Sequence, residues 1–106
     1  MADSIAHISA YRESNGCMRI RVRGRLALQN HRDFRAVYDG ISDVRHYIVD
    51  LSETEYVDSA GLGMLVLLHE YAQARNATVE LADANERTAR ILRIAGFDKI
   101  FMMTNC

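Results

Sequence analysis

Proline and tryptophan are absent, cysteine occurs twice and lysine only once, at Lys99. Without proline, glycine and the short polar residues have to end each helix and strand. Cys17 and Cys106 stand far apart with no nearby Cys/His spacing, which argues against a zinc site and against a disulfide framework. Two isolated thiols fit a reducing cytoplasm. The longest apolar run, Ala60 to Leu68, has nine residues, well short of the roughly 18 that read as a membrane span. The opening residues, Met1 to Ala10, are too poor in basic and apolar residues for a targeting segment. A formal net charge of −1 supplies no positive field to draw the chain to nucleic acid. No P-loop or G-x-G-x-x-G is present, the four histidines are scattered, and nothing calls for a cofactor. Catalysis therefore has little support.

What is present is an ordinary globular balance, 49% hydrophobic and 25% charged over 106 residues, enough for one domain spanning 1–106. Residues 4–11 suit a first strand, and Glu13-Ser14-Asn15-Gly16 suits a turn. In 17–24, Met18, Ile20 and Val22 alternate with Arg19, Arg21 and Arg23, the period of a half-buried strand. Asn30 is placed to cap a helix running to about Val44, with Phe34, Val37, Tyr38 and Ile41 on one stripe. His46 to Leu51 reads as a buried strand, and 52–57 as a polar loop. Asp58 is placed to cap a helix to about Arg75, stopped at Asn76. Ala77 to Ala82 follows as a strand. Asp83 has capping-box spacing for a third helix that buries Ala89, Ile91, Leu92 and Ala95 and ends at Gly96. Lys99 to Met103 closes as a strand. The order β-β-α-β-α-β-α-β predicts an α/β domain: an N-terminal antiparallel hairpin, then parallel strands, in a mixed sheet of about five strands with about three helices.

The segment Asp50 to Leu68 carries the chemistry. Ser59 falls in the first turn of the second helix, where free N–H groups and the positive end of the dipole accept a phosphate. Asp58 beside it repels one. Gly61 and Gly63 each cost a helix about 1 kcal/mol, which makes sense where another backbone comes close, either the protein's own sheet or a partner. Leu62 and Met64 are expected near the exposed end, as part of an apolar docking patch. Asp50, Glu53, Glu55 and Asp58 resemble a crowded magnesium site only in composition; solvated loop carboxylates account for them. The Arg19, Arg21 and Arg23 stripe reads as a solvated strand face. So do Arg87, Arg90 and Arg93 on the third helix, with Glu86 and Arg90 as an i,i+4 pair.

Val57-Asp58-Ser59-Ala60-Gly61-Leu62-Gly63, behind a Tyr47-Ile48-Val49-Asp50-Leu51 strand, resembles the central motif of STAS domains of the anti-sigma factor antagonist family. The similarity spans about 17–103 and includes Gly24-Arg25-Leu26, Ile94-Ala95-Gly96-Phe97 and the Asn30 to Tyr38 segment. The resemblance implies a cytoplasmic regulatory binding protein rather than an enzyme, acting in bacterial partner switching. Its unphosphorylated form would bind an anti-sigma factor with serine kinase activity and release the sigma factor. Phosphorylation of Ser59 would inactivate it, and a metal-dependent serine phosphatase would restore it. Asp58, Gly61, Leu62, Gly63 and Met64 would border the docking surface. Arg25 and Ala27 stand where many relatives carry acids. The final helix of many relatives is expected to be missing, which leaves room for a homodimer. Two alternatives are a STAS-type accessory subunit of an ABC lipid transporter and a receiver-like domain phosphorylated at Asp50.

Overall fold

The computed structural model describes residues 7–104. Ser4 to Ala6 of the expected first strand, and Cys106, lie outside them.

Among the described residues six strands form one sheet in the order β1-β2-β3-β5-β6, with β4 paired to β2. β1 (His7–Ser14) and β2 (Cys17–Leu26) make the antiparallel hairpin. Its turn uses Gly16 at φ +78, a conformation only glycine adopts without strain. β3 (His46–Asp50), β5 (Thr78–Ala82) and β6 (Met102–Thr104) add on in parallel. Strict alternation on β2 sends Met18, Ile20 and Val22 inward against Tyr47, Val49, Val79 and Leu81. Three helices cover that apolar layer: α1 (His31–Ala36), α2 (Ser59–Gln73) and α3 (Glu86–Ile94). They contribute Phe34, Leu65, Leu68, Ala72 and Leu92 to the core. Each of the larger of these side chains stabilises the fold by roughly 1.5–3 kcal/mol.

Four expectations need correction. The first helix stops at Ala36 instead of near Val44. Gly40 turns left-handed at φ +84, and the reversal seats Tyr38 against both Phe34 and Tyr71, with ring centroids 6.0 and 5.0 Å apart. Asn30 does not cap α1 through its side chain; its Oδ1 accepts the Ala27 N–H at 2.9 Å. The loop at 52–57 contains a strand, β4 (Thr54–Val57), parallel to the end of β2. Thr54 is buried there and its hydroxyl donates to the Val22 carbonyl at 2.7 Å. The cap of α3 is Asn85, whose Oδ1 accepts the Thr88 N–H at 2.7 Å. Its Nδ2 donates to the Thr54 carbonyl at 3.1 Å, a double role that an aspartate, lacking a donor, has no means to fill. Asp83 instead turns left-handed at φ +62 as the chain leaves β5.

The last two elements are adjusted rather than lost. On α3, Leu92 is buried as expected, Ala89 and Ile91 are half-buried, and Ala95 is exposed. Gly96 is left-handed at φ +82 and leads into a short 3-10 turn, Phe97–Lys99. Packing of Phe97 on Phe101, 5.1 Å between centroids, delays β6 to Met102.

Candidate functional site

β4 delivers the chain to α2 along the end of β2. The Asp58 N–H donates to the Leu26 carbonyl at 3.2 Å, continuing the β2–β4 pairing by one residue. Asp58 is extended, at φ −91 and ψ −176, and its Oδ1 accepts the Gly61 N–H at 2.8 Å. This is the N-cap expected from the sequence, worth about 1 kcal/mol. Ser59 is thus the first residue of α2, exposed, in the turn where the positive end of the helix dipole lies. Among the described residues its hydroxyl has no hydrogen-bond partner.

The two glycines have opposite surroundings. A Cβ on Gly61 would run into the Leu26 carbonyl oxygen and come within 2.9 Å of Val57 Cγ1. The backbone that approaches Gly61 is therefore the protein's own β2. A Cβ on Gly63 would meet nothing within 4 Å. Gly63 is exposed, Leu62 is half-buried, and Leu67 projects at 41% exposure. Met64 does not join this surface. It is 3% exposed and belongs to the core with Leu65 and Leu68. A helix apolar all round gave the sequence no means to choose between Met64 and Leu67.

Leu28 is the feature that sequence reasoning missed. It is 69% exposed, in the 3-10 turn Leu28–Asn30, two residues beyond the Leu26 carbonyl that holds Asp58. The signal available was a leucine directly after a strand with no apolar periodicity around it. Leu28 follows the end of β2 that holds Asp58, and Ser59, Leu62 and Gly63 occupy the first turns of α2, so the chain places an apolar rim of Leu28 and Leu62 at the end of β2 where the helix begins.

The nearby carboxylates do not gather into a cation site. Asp50 is 4% exposed and turns to the opposite side of the sheet. There Arg19 Nη1 lies 3.0 Å and Arg21 Nε 3.5 Å from its Oδ2, while Ser52 donates through both N–H and hydroxyl to Oδ1. Glu53 pairs with Arg23 at 3.2 Å. The basic stripe is thus tied to acids, and Asp50, occupied on both oxygens, is not an accessible phosphate acceptor. Burial pushes the Asp50 carboxyl up, but the Ser52 hydrogen bonds and Arg19 together outweigh it and hold it below the ordinary range. The Thr104 hydroxyl leads in holding Glu80 low, against burial and with help from His46. Depressed folded values mean that this stabilisation is present above the unfolded pKa values of 3.8 for Asp50 and 4.5 for Glu80 and is lost as pH falls through the lowered ones. Thermal unfolding followed from pH 7 into acid is expected to show a falling midpoint below about pH 4.5. Asp50→Asn should cost about 1–3 kcal/mol at neutral pH and flatten the acid limb.

The family model described as "Mlab, STAS domain" matches residues 9–104. A STAS-domain containing protein of Pseudomonas aeruginosa (strain UCBPP-PA14) is 37% identical over 86 residues, which is 80% of this chain and 85% of that protein. Among solved structures, the anti-sigma factor antagonist SpoIIAA in its unphosphorylated form superposes with a TM-score of 0.80 at 16% identity, covering 92% of this chain and 87% of that one. An anti-sigma factor antagonist from Mycobacterium paratuberculosis gives 0.80 at 20% identity, covering 97% and 88%. At these identities the likeness to the solved structures is one of fold. No helix among the described residues is long and apolar enough to cross a membrane.

Proposed function

The chain belongs to the STAS domain family, and from that premise we propose that it is an anti-sigma factor antagonist whose docking is switched by phosphorylation of Ser59. The observation that carries this reading is the exposed Ser59 hydroxyl at the start of α2, without a hydrogen-bond partner among the described residues. In the unphosphorylated state the apolar rim seats against an anti-sigma factor with serine kinase activity, in the cytoplasm, and the sigma factor is released. Gly63 lets the partner's backbone come close; Gly61 and Asp58 fix the geometry from behind. The chain acts as a binding protein and supplies no chemistry of its own. The kinase transfers the γ-phosphoryl group of ATP to Ser59 Oγ, and a metal-dependent phosphatase hydrolyses the ester.

Phosphate adds about −1.5 to −2 charge next to Asp58. The helix N-terminus tolerates it within the free protein. Buried in the interface it would lack a partner. Incubation with ATP and the anti-sigma kinase of the same genome, followed by intact-mass analysis, should give one acid-stable phosphate that Ser59→Ala abolishes. No phosphate, or one that persists in Ser59→Ala, would sink the assignment.

The exposed Leu67 of α2, with Leu62 and Val66 only partly buried beside the core, favours a second reading, a constitutive accessory subunit on the ATPase of an ABC lipid transporter. Co-purification with such an ATPase, without phosphorylation, would mark it.

A further inference from the structure

α3 carries a feature that the switch does not use. Arg87, Arg90 and Arg93 are all exposed, and among the described residues none has a side-chain hydrogen bond or an ion pair. The expected Glu86–Arg90 pair does not form. This departs from much of the rest of the chain. Arg12, Arg19, Arg21, Arg23 and Arg35 each face a carboxylate of their own fold, and Arg75 lies 3.6 Å over the Tyr71 ring. Residues at this spacing sweep an arc of about 120° on a helix, and Ile94 falls within that arc between Arg87 and Arg90. Ile94 is 79% exposed, more than any other large hydrophobic residue described. Leu92 and Thr88 hold the opposite side of α3 in the interior.

We infer that this face is a second docking surface, for an acidic segment of the same anti-sigma partner. The inference rests on the function proposed above. Forked guanidinium groups without internal partners suit carboxylates, and Ile94 offers one apolar anchor in their midst. A membrane surface fits less well. Three basic residues and one isoleucine give at best the marginal, reversible affinity of a single lipid chain. The face is also joined to the Ser59 end: Asn85 ties the start of α3 to Thr54 at 3.1 Å, and β4 leads from Thr54 directly into Asp58 and Ser59.

The test is a titration of the anti-sigma kinase of the same genome with four proteins: wild type, Ser59→Asp, the triple variant Arg87→Ala/Arg90→Ala/Arg93→Ala, and Ile94→Ala. Each is measured at low and at high salt, and thermal unfolding checks that these exposed substitutions leave the fold intact. The triple variant should bind about 10-fold more weakly at low salt and lose most of the salt dependence. Ile94→Ala should weaken binding roughly 3-fold at both salts. Wild-type affinity and salt dependence in the triple variant would overturn the inference alone. Tight binding by Ser59→Asp would overturn the switch and leave this surface standing. No binding by the wild type would overturn both.

Discussion

Gly61→Ala should destabilise the chain by about 3 kcal/mol, while Gly63→Ala, two positions on in the same helix, should stabilise it by about 0.5–1 kcal/mol. The contrast follows from position alone. At Gly61 the added methyl meets the Leu26 carbonyl and Val57 Cγ1, both fixed by the β2–β4 pairing. Relief would require α2 to lift from the sheet and the Asp58 cap to break. At Gly63 the methyl points into open space, so only the better helix propensity of alanine registers. Thermal unfolding should place the Gly61 variant about 12–24 °C below wild type and the Gly63 variant a few degrees above it. Equal midpoints for the two would mean that α2 does not sit on β2 as described. The Gly63 variant should nevertheless bind the partner more weakly than wild type if a backbone approaches there.

The second large effect is on binding. Ser59→Ala should bind the anti-sigma partner at least as tightly as wild type, and Ser59→Asp should bind about 30-fold or more weakly. A buried interfacial charge without a partner costs about 2–5 kcal/mol, and each 1.4 kcal/mol is about tenfold in affinity. Ser59 is exposed and outside the core, so neither change should alter the unfolding free energy by more than about 0.5 kcal/mol. A calorimetric titration reads both constants. Equal affinities would remove the switch while leaving the fold and the family intact.

How much of this was legible beforehand differs from element to element. The β2 strand was plain because apolar and basic residues alternate without a break from Met18 to Arg23. The Asp58 cap and the start of α2 were plain because capping is a local hydrogen bond between residues three apart. β4 was hidden: Thr54–Val57 carries two exposed residues between two buried ones, and its pairing is with a strand thirty residues earlier in the chain. The early stop of α1 was hidden because it depends on Tyr38 meeting Tyr71 across the fold. The charge partners of the arginine stripe were hidden for the same reason, since Asp50 lies on the neighbouring strand. At the site, Asp58, Ser59 and the two glycines were found by motif. Which glycine serves the fold, and that Met64 faces inward while Leu28 faces out, needed the sheet in place.

The most direct measurement is the affinity of the kinase-phosphorylated chain, purified to one phosphate on Ser59, for its anti-sigma partner beside that of the unmodified chain. Binding weakened by about 30-fold or more is the result expected. Indistinguishable constants for the two forms would contradict it.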